Sequence, residues 1–275
     1  MTTLVQWLRR QPMAALSAIV LLLILGAAVF APWVAPADPL HASMLQRLLP
    51  VGSAGYLLGT DEIGRDLLSR LVYGGRMSLL LGVVPVLAAF VLGTAIGVVA
   101  GYAGGWLNSL VMRVLDVFYA FPSVLLAVAV AGALGPGITN SLVALTLVFL
   151  PQVVRIAESA TTQVRQREYI DAARMSGAGT WSILRVHVLG NVLGPVFIYA
   201  SGLISVSMIL ASGLSFLGLG VRPPQPEWGL MLNTLRSAIF VNPVVAALPG
   251  AMIFVTSMAF NLLADGVRGA PGGRP

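Results

Sequence analysis

The chain has 275 residues, of which 57% are hydrophobic and only 9% are charged. Because about a quarter of the residues in a soluble protein are charged, this composition indicates an integral membrane protein. All sixteen basic residues are arginine, and the lack of lysine excludes a P-loop, which needs a lysine at the phosphates. The lack of cysteine excludes disulfides, thiolate metal sites and a cysteine nucleophile. The net charge of +6 is typical of membrane topology rather than of nucleic-acid binding.

Five charge-free runs reach the length of about 20 residues that a helix needs to cross the hydrocarbon core. The third run, 117–154, is long enough for two crossings. Its middle contains Leu134-Gly135-Pro136-Gly137, which is typical of a turn. The sequence therefore predicts an all-α integral membrane protein with six transmembrane helices. We place them at 14–34, 78–101, 109–133, 139–158, 192–215 and 243–264.

The arginines predict the orientation. If the N-terminus is cytoplasmic, ten arginines, including Arg9, Arg10 and Arg274, face the cytoplasm and six face outward. The positive-inside rule then favours cytoplasmic N- and C-termini. The first run also has features of a cleaved signal peptide, because Ala35-Pro36-Ala37 follows its apolar core. An uncleaved span is favoured, since the core is long, a proline occupies the cleavage site and five more spans follow.

A short amphipathic helix is predicted on the outer membrane surface, before the second span. Asp66 and Arg70 have the i,i+4 spacing of a helical ion pair, and an apolar stripe accompanies them. The stripe consists of Leu67, Leu68, Leu71 and Val72. Such a helix either anchors the chain in the interface or contacts an external protein.

Two features lie within the second and third spans. Gly93, Gly97 and Gly101 recur every four residues, so they share one helix face and predict close packing against another helix. Arg113 and Asp116 lie one turn apart near the cytoplasmic end of the third span. Ionisable residues in spans are often functional, so this predicted ion pair has either a gating or a structural role.

A polar elbow is predicted on the cytoplasmic face, at about residues 165–190. The helical pattern continues from the fourth span through Ala160–Ala173, and Gly177 is typical of a helix C-terminus. A second short helix begins near Thr180, a suitable N-cap. This helix-turn-helix either lies on the lipid headgroups or docks into the groove of a partner.

Polar residues also mark the fifth span and the loop after it. Ser201, Ser205 and Ser212 fall near one helical face, where they either line a translocation path or pack helices and bond to their own backbone. The proline-rich segment 222–228 is expected to be stiff and external. It either meets a docking protein or braces the fifth and sixth spans.

The elbow resembles the EAA motif of ABC importer permeases. The matching positions are Asp171, Ala172, Ala173, Gly177, His187, Leu189 and Gly190. The departures from that motif are Asp for Glu, His for Ile and Gly for Pro, and Gly190 is still expected to break a helix. In that family the elbow contains a coupling helix that docks on an ATP-hydrolysing subunit. The resemblance implies ATPase contact for Glu168, Asp171, Ala172, Ala173, Gly177, Trp181, Leu184, His187 and Leu189.

Other segments resemble the C-type subunit of the dipeptide/oligopeptide permease family. The segments are LLGTDEIGRDLLSRLVYGGRMSLLLG (57–82), MRVLDVFYAFPSVLLA (112–127), LSFLGLGVRPPQPEWGLML (214–232) and NLLADGVR (261–268). The resemblance covers the chain from about residue 14 and implies the type I ABC importer permease fold. On this basis residues 1–76 form an N-terminal region with the first span and the external segment. Residues 77–268 form the permease core, and 269–275 form a flexible tail.

The resemblance implies a transport subunit, not an enzyme, in the bacterial cytoplasmic (inner) membrane. Its expected partners are a second homologous permease in a heterodimer, two ATP-binding-cassette ATPases and an extracytoplasmic substrate-binding protein. ATP and Mg are expected on the ATPases, so this chain binds no cofactor and no metal. The expected cargo is a dipeptide or oligopeptide, with glutathione or a nickel chelate as the alternative.

Two other function classes fit the sequence poorly. An ion-coupled secondary transporter would need ionisable groups near the bilayer midplane and often shows repeated halves, but the candidate carboxylate, Asp116, lies near one end of its span. A membrane enzyme would need converging catalytic groups. His41 and His187, the only two histidines, are predicted to lie on opposite sides of the membrane.

Overall fold

The computed structural model describes residues 11–268, and every regular element within them is helical. Predictions that involve Arg9, Arg10, Arg274 and the tail 269–275 lie outside these residues. The helices are α1 (Pro12–Val29), α2 (Ala31–Val34), α3 (Leu67–Ala103), α4 (Gly105–Tyr119), α5 (Ser123–Leu134), α6 (Ile138–Arg165), α7 (Glu168–Met175), α8 (Thr180–Phe216), α9 (Trp228–Thr234) and α10 (Pro243–Arg268). Short 3₁₀ turns occur at Met44–Gln46 and Arg236–Phe240.

Five helices in the described residues, α1, α3, α6, α8 and α10, are long and apolar enough to cross a membrane. The pair α4 and α5 is bent by 89° and counts as a sixth span only if it is taken as one. The prediction of an all-helical membrane protein is confirmed. The prediction of one continuous third span at 109–133 is wrong, because Pro122 donates no backbone hydrogen bond and disfavours helical geometry in the residue before it.

The second span begins eleven residues earlier than predicted, at Leu67 rather than at 78. Asp66 is its N-cap, because the carboxylate accepts a hydrogen bond of 2.7 Å from the backbone amide of Ser69. Residues 66–72 are therefore the first turns of α3, not a separate interfacial helix, and Leu67 and Leu71 are buried. The helix also runs unbroken across residue 77, where the sequence suggested a boundary between regions.

The predicted Asp66–Arg70 ion pair is also wrong. Arg70 Nε lies 3.1 Å from Asp61 Oδ2, and Arg65 Nε lies 2.6 Å from the same oxygen. Asp66 is already occupied as the helix cap, which leaves Asp61 as the partner of both arginines. Asp61, Arg65 and Arg70 are all buried, so they form a buried ionic cluster beneath the loop that precedes α3.

The glycine face predicted in the second span is confirmed as a packing face. A Cβ atom on Gly97 would lie 2.5 Å from the carbonyl oxygen of Val154 in α6. A Cβ on Gly93 would lie 2.9 Å from the Val153 side chain, and one on Gly101 would lie 2.8 Å from the Glu158 carbonyl. Only hydrogen fits at these positions, so α3 and α6 approach backbone to backbone and form the centre of the bundle.

The proline-rich segment braces the bundle at its end. Glu227 is buried, and its carboxylate accepts hydrogen bonds of 2.8 Å from the amides of Gly229 and Leu230 and of 3.0 Å from Ser78 Oγ of α3. Trp228 Nε1 donates to the Leu71 carbonyl at 2.8 Å. Burial raises the pKa of Glu227. The Glu227 and Trp228 side chains therefore fix α9 to α3, which favours the bracing role for this end of the segment.

Candidate functional site

The predicted elbow is present at residues 165–190, between the two long helices α6 and α8. The first helix of the elbow, α7, ends in a Schellman turn: the Ala178 amide donates to the Ala173 carbonyl at 3.1 Å and the Gly177 amide to the Arg174 carbonyl at 3.0 Å. Gly177 has a φ of +80°, where a side chain would be strained. The prediction of a turn at Gly177 is confirmed.

Two details of the predicted elbow are wrong. Helix α6 ends at Arg165 and α7 begins at Glu168, so 160–173 is not one helix. The second elbow helix is not short, because Thr180–Phe216 is continuous through a π-helical turn at Ile183–Val188. Gly190 does not break it: a single glycine costs about 1 kcal/mol in a helix, which tertiary packing of a long helix can offset.

The elbow is fixed to the bundle by apolar anchors on its inner side. Ile170 of α7 and Ile183 and Val188 of α8 are buried in the main core. Rings also meet across the elbow, since the centroids of Tyr169 and His187 are 6.1 Å apart. His187, which replaces the isoleucine of the EAA pattern, therefore has an apolar packing role within this chain.

The outer side of the elbow combines the motif residues with exposed apolar side chains. Glu168, Asp171, Ala172, Gly177 and Trp181 are exposed, whereas Ala173, Leu184, His187 and Leu189 are half-buried. Met175 and Trp181 are 91% and 73% exposed, and Val186 is 64% exposed. The sequence reasoning missed Met175 and Val186. The position of Met175 beside the predicted Gly177 turn was a signal that could have identified it, whereas the sequence held no signal for Val186.

The elbow also contacts the C-terminal end of α3. The guanidinium carbon of Arg174 lies 5.5 Å from the centre of the Tyr102 ring, a cation–π distance. Arg174 Nη1 is 3.2 Å from Asp171 Oδ1. Asp171 therefore orients the arginine that connects α7 to the end of α3, which gives the acidic position of the motif a structural role within the chain.

A cavity of about 810 Å³ lies between α8 and α10 and is open at one side. Ser205 and Ser212 line it, together with Ser257 and Asn261 of α10, and the rest of the wall is mainly apolar. Ser201 does not line it. Ser201 and Ser205 both donate to their own helix, to the Ile198 carbonyl at 2.8 Å and to the Gly202 carbonyl at 2.9 Å. Two of the three predicted serines thus share a cavity. Ser257 and Asn261 were missed because pairing of α8 with α10 cannot be read from one helix.

The predicted Arg113–Asp116 pair does not form, because Asp116 pairs with Arg155 of α6. The bend after Tyr119 turns α4 so that Asp116 faces α6. An arginine N-terminal to an acid is also the weaker arrangement on a helix. Arg155 is held a second time, since its guanidinium carbon lies 4.6 Å from the centre of the Tyr119 ring.

Two family models match the chain. The first, described as a binding-protein-dependent transport system inner membrane component, matches residues 93–270, which include the elbow and the cavity. The second, described as the N-terminal TM domain of oligopeptide transport permease C, matches residues 5–50.

Curated relatives match over nearly the whole chain. The glutathione transport system permease protein GsiD of Pectobacterium atrosepticum is 41% identical over 95% of this chain and 87% of its own length. The di/tripeptide transport system permease protein DppC of Pseudomonas aeruginosa is 44% identical over 91% and 84%. The probable D,D-dipeptide transport system permease protein DdpC of Escherichia coli is 38% identical over 96% and 89%. The chain therefore belongs to the family of binding-protein-dependent transport system inner membrane components.

Proposed function

We propose that this chain is a permease subunit of an ATP-driven importer and that separate ATPase subunits drive it through the elbow. The observation that carries the proposal is the elbow surface: a rigid Schellman turn that presents Met175 and Trp181, both largely exposed, beside the acidic motif. Exposed apolar side chains within a polar surface are typical of interaction sites. The chain has no lysine and so no P-loop of its own, which makes an external ATPase necessary.

The proposed cargo is a small peptide. The relatives' names indicate di- and tripeptides, D,D-dipeptides and glutathione, itself a peptide. A dipeptide or oligopeptide remains our first assignment, with glutathione or a nickel chelate as the alternative. The extracytoplasmic substrate-binding protein is proposed to deliver the cargo, in accord with the family description.

We propose a topology of six spans with cytoplasmic termini, counting α4 and α5 as one bent span. Helices α6 and α8 each cross the membrane once, so their ends away from the elbow lie on the other side of the membrane from it. The segment from Arg155 through Arg185 carries five arginines, which supports a cytoplasmic elbow under the positive-inside rule. The loop that contains Asp61 and the brace at Glu227 are then external.

The cavity between α8 and α10 is proposed to be part of the translocation path. Its open side would be completed by the second permease of a heterodimer. Ser205, Ser212, Ser257 and Asn261 would offer hydrogen-bonding groups to a peptide backbone, while the mainly apolar wall would bind it only weakly. Weak binding suits a path, because cargo must leave as well as enter.

In the proposed cycle, ATP binding closes the two ATPases and moves the docked elbow. The elbow is continuous with α8, which lines the cavity, so its displacement reaches the proposed path. The permease then alternates between inward-open and outward-open states, and the binding energy of ATP shifts the balance between them.

The proposal is tested by changing one exposed aromatic residue at each end of the molecule. Trp181→Glu places a charge on the elbow, whereas Phe240→Glu alters a residue that is 91% exposed at the opposite end. The ATPases should copurify with wild type and with Phe240→Glu, but not with Trp181→Glu. Equal ATPase recovery with all three chains would contradict docking at the elbow.

A further inference from the structure

Helix α4 is attached to the inner half of α6 at three points. At its start, the Arg165 guanidinium lies against Gly104. In its first turn, Asn108 Nδ2 donates to Glu158 Oε1 at 2.7 Å. Near its end, Asp116 pairs with Arg155. The three contacts follow α4 along its length, so they define its position relative to α6.

The other end of α4 is a hinge. Ala120 to Pro122 separates α4 from α5, and the two axes differ by 89°. Pro122 removes the backbone hydrogen bond that would stiffen a continuous helix. Helix α5 packs on α6 and α8 instead, through the buried Ala127 and Ala131. The two halves of the third span therefore contact α6 separately, with the bend at 120–122 between the two contacts.

Arg155 is the side chain that fixes α4 at the hinge end. It contacts both Asp116, four residues before the hinge, and the ring of Tyr119, the last residue of α4. Arg155 lies ten residues before the end of α6, about 15 Å along a helix, and the elbow begins at that end. The arginine thus stands between the hinge and the elbow.

This ion pair is exposed in the single chain, and we expect water or another protein chain, not lipid, to cover it in the assembled transporter. The Arg155 and Asp116 side chains are 48% and 61% exposed in the single chain. Charged groups at membrane depth face water-filled cavities or other protein, because lipid does not solvate them. An exposed pair in water contributes only about 0–1 kcal/mol, so Arg155 holds α4 through the ion pair and the contact with the Tyr119 ring together.

We propose that Arg155 is a positioning residue that makes α4 and the inner third of α6 one rigid unit, hinged at 120–122, which passes elbow movement to the third span. This inference rests on the proposed function, because it assumes that the ATPases move the elbow. Asp116, the acidic residue of the third span, is then paired with Arg155 and helps to position α4, instead of pairing with Arg113 as the sequence predicts.

The rigid unit is tested by spin labels at Ser109 of α4 and Ser159 of α6, both exposed. The chain has no cysteine, so Ser109→Cys and Ser159→Cys create the only labelling sites in it. In the complete transporter, the distance between the labels should be the same without nucleotide and with ATP trapped. A change in that distance on trapping ATP would overturn the proposal without any further variant.

The ion pair is tested by adding Asp116→Asn to the labelled chain. We expect a broadened distance distribution and transport lowered about tenfold, the range of a typical coupling between sites, with the ATPases still bound. Asp116→Arg combined with Arg155→Asp restores an ion pair and should recover most of the transport. Unchanged distances in Asp116→Asn, or no recovery in the exchanged pair, would overturn the role of Arg155.

Asp265→Asn is the matched control. Arg268 and Asp265 form a pair with exposures of 49% and 58%, nearly those of Arg155 and Asp116, but within a single helix. Its loss should change neither the label distance nor transport. If the wild-type chain binds no ATPase, the proposed function fails. If ATPases bind and the labels still move apart, only this inference fails.

Discussion

At the scale of single residues, Gly177 is the position where local backbone geometry bears most directly on the proposed coupling. Its φ of +80° allows α7 to end and α8 to begin within four residues, with Ala178 and Gly179 completing the turn. No atom would obstruct a Cβ at Gly177 or at Gly179. The two glycines therefore differ in backbone conformation and not in the space around them, since only Gly177 has a positive φ.

Gly177→Ala is expected to strain the turn by about 1–2 kcal/mol, whereas Gly179→Ala is not, because only Gly177 is left-handed. The strain should tilt α7 relative to α8, lower peptide uptake several-fold and raise the ATP hydrolysed per peptide. Both proteins should insert in the membrane at wild-type levels. Equal uptake by the two variants would show that the turn geometry does not limit coupling.

A second residue-scale prediction concerns the glycine face of α3. Gly97→Ala would bring a Cβ to 2.5 Å from the Val154 carbonyl, whereas Gly132→Ala in α5 meets no atom within 4 Å. Overpacking of this kind typically costs about 1–3 kcal/mol. The melting temperature in detergent should fall for Gly97→Ala and stay equal or rise for Gly132→Ala. A wild-type melting temperature for Gly97→Ala would contradict tight packing of α3 on α6.

At the scale of elements, the sequence predicts helix type and periodicity well but predicts long-range partners poorly. The glycine face of α3 and the Gly177 turn depend on local spacing and φ, and both are confirmed. Asp116 was paired with the nearest base on its own helix, because its true partner, Arg155, lies 39 residues away. The predicted helix boundary is wrong where a polar residue caps a span instead of lying in solvent. Asp66 is such a cap.

Two element-level features had weak signals in the sequence. Phe121-Pro122 is the sequence signal for the bend at 120–122, but a charge-free apolar run around it predicts a single crossing. The continuity of α8 through Ile183–Val188 could not be predicted, since a π-helical turn inside an α-helix is rare and has no compositional signal here. Both features determine how the elbow is joined to the membrane helices.

At the scale of the whole molecule, the proposed topology gives the chain an outer end fixed by buried polar groups and an inner end that presents exposed apolar side chains. Asp61, Arg70 and Glu227 are buried in the outer part. The elbow projects from the inner ends of α6 and α8 with Met175 and Trp181 exposed. A firm outer end and an accessible inner end suit a subunit that is moved from the cytoplasmic side.

We propose that cargo crosses only when separate ATPases act on the elbow. ATP-dependent peptide uptake into vesicles is the most direct test. Vesicles would contain the complete transporter with its ATPases, second permease and binding protein, with labelled dipeptide outside and ATP inside. We predict that uptake requires ATP, persists in Phe240→Glu and is lost in Trp181→Glu. Uptake by this chain alone, driven by an ion gradient without ATP, would contradict it.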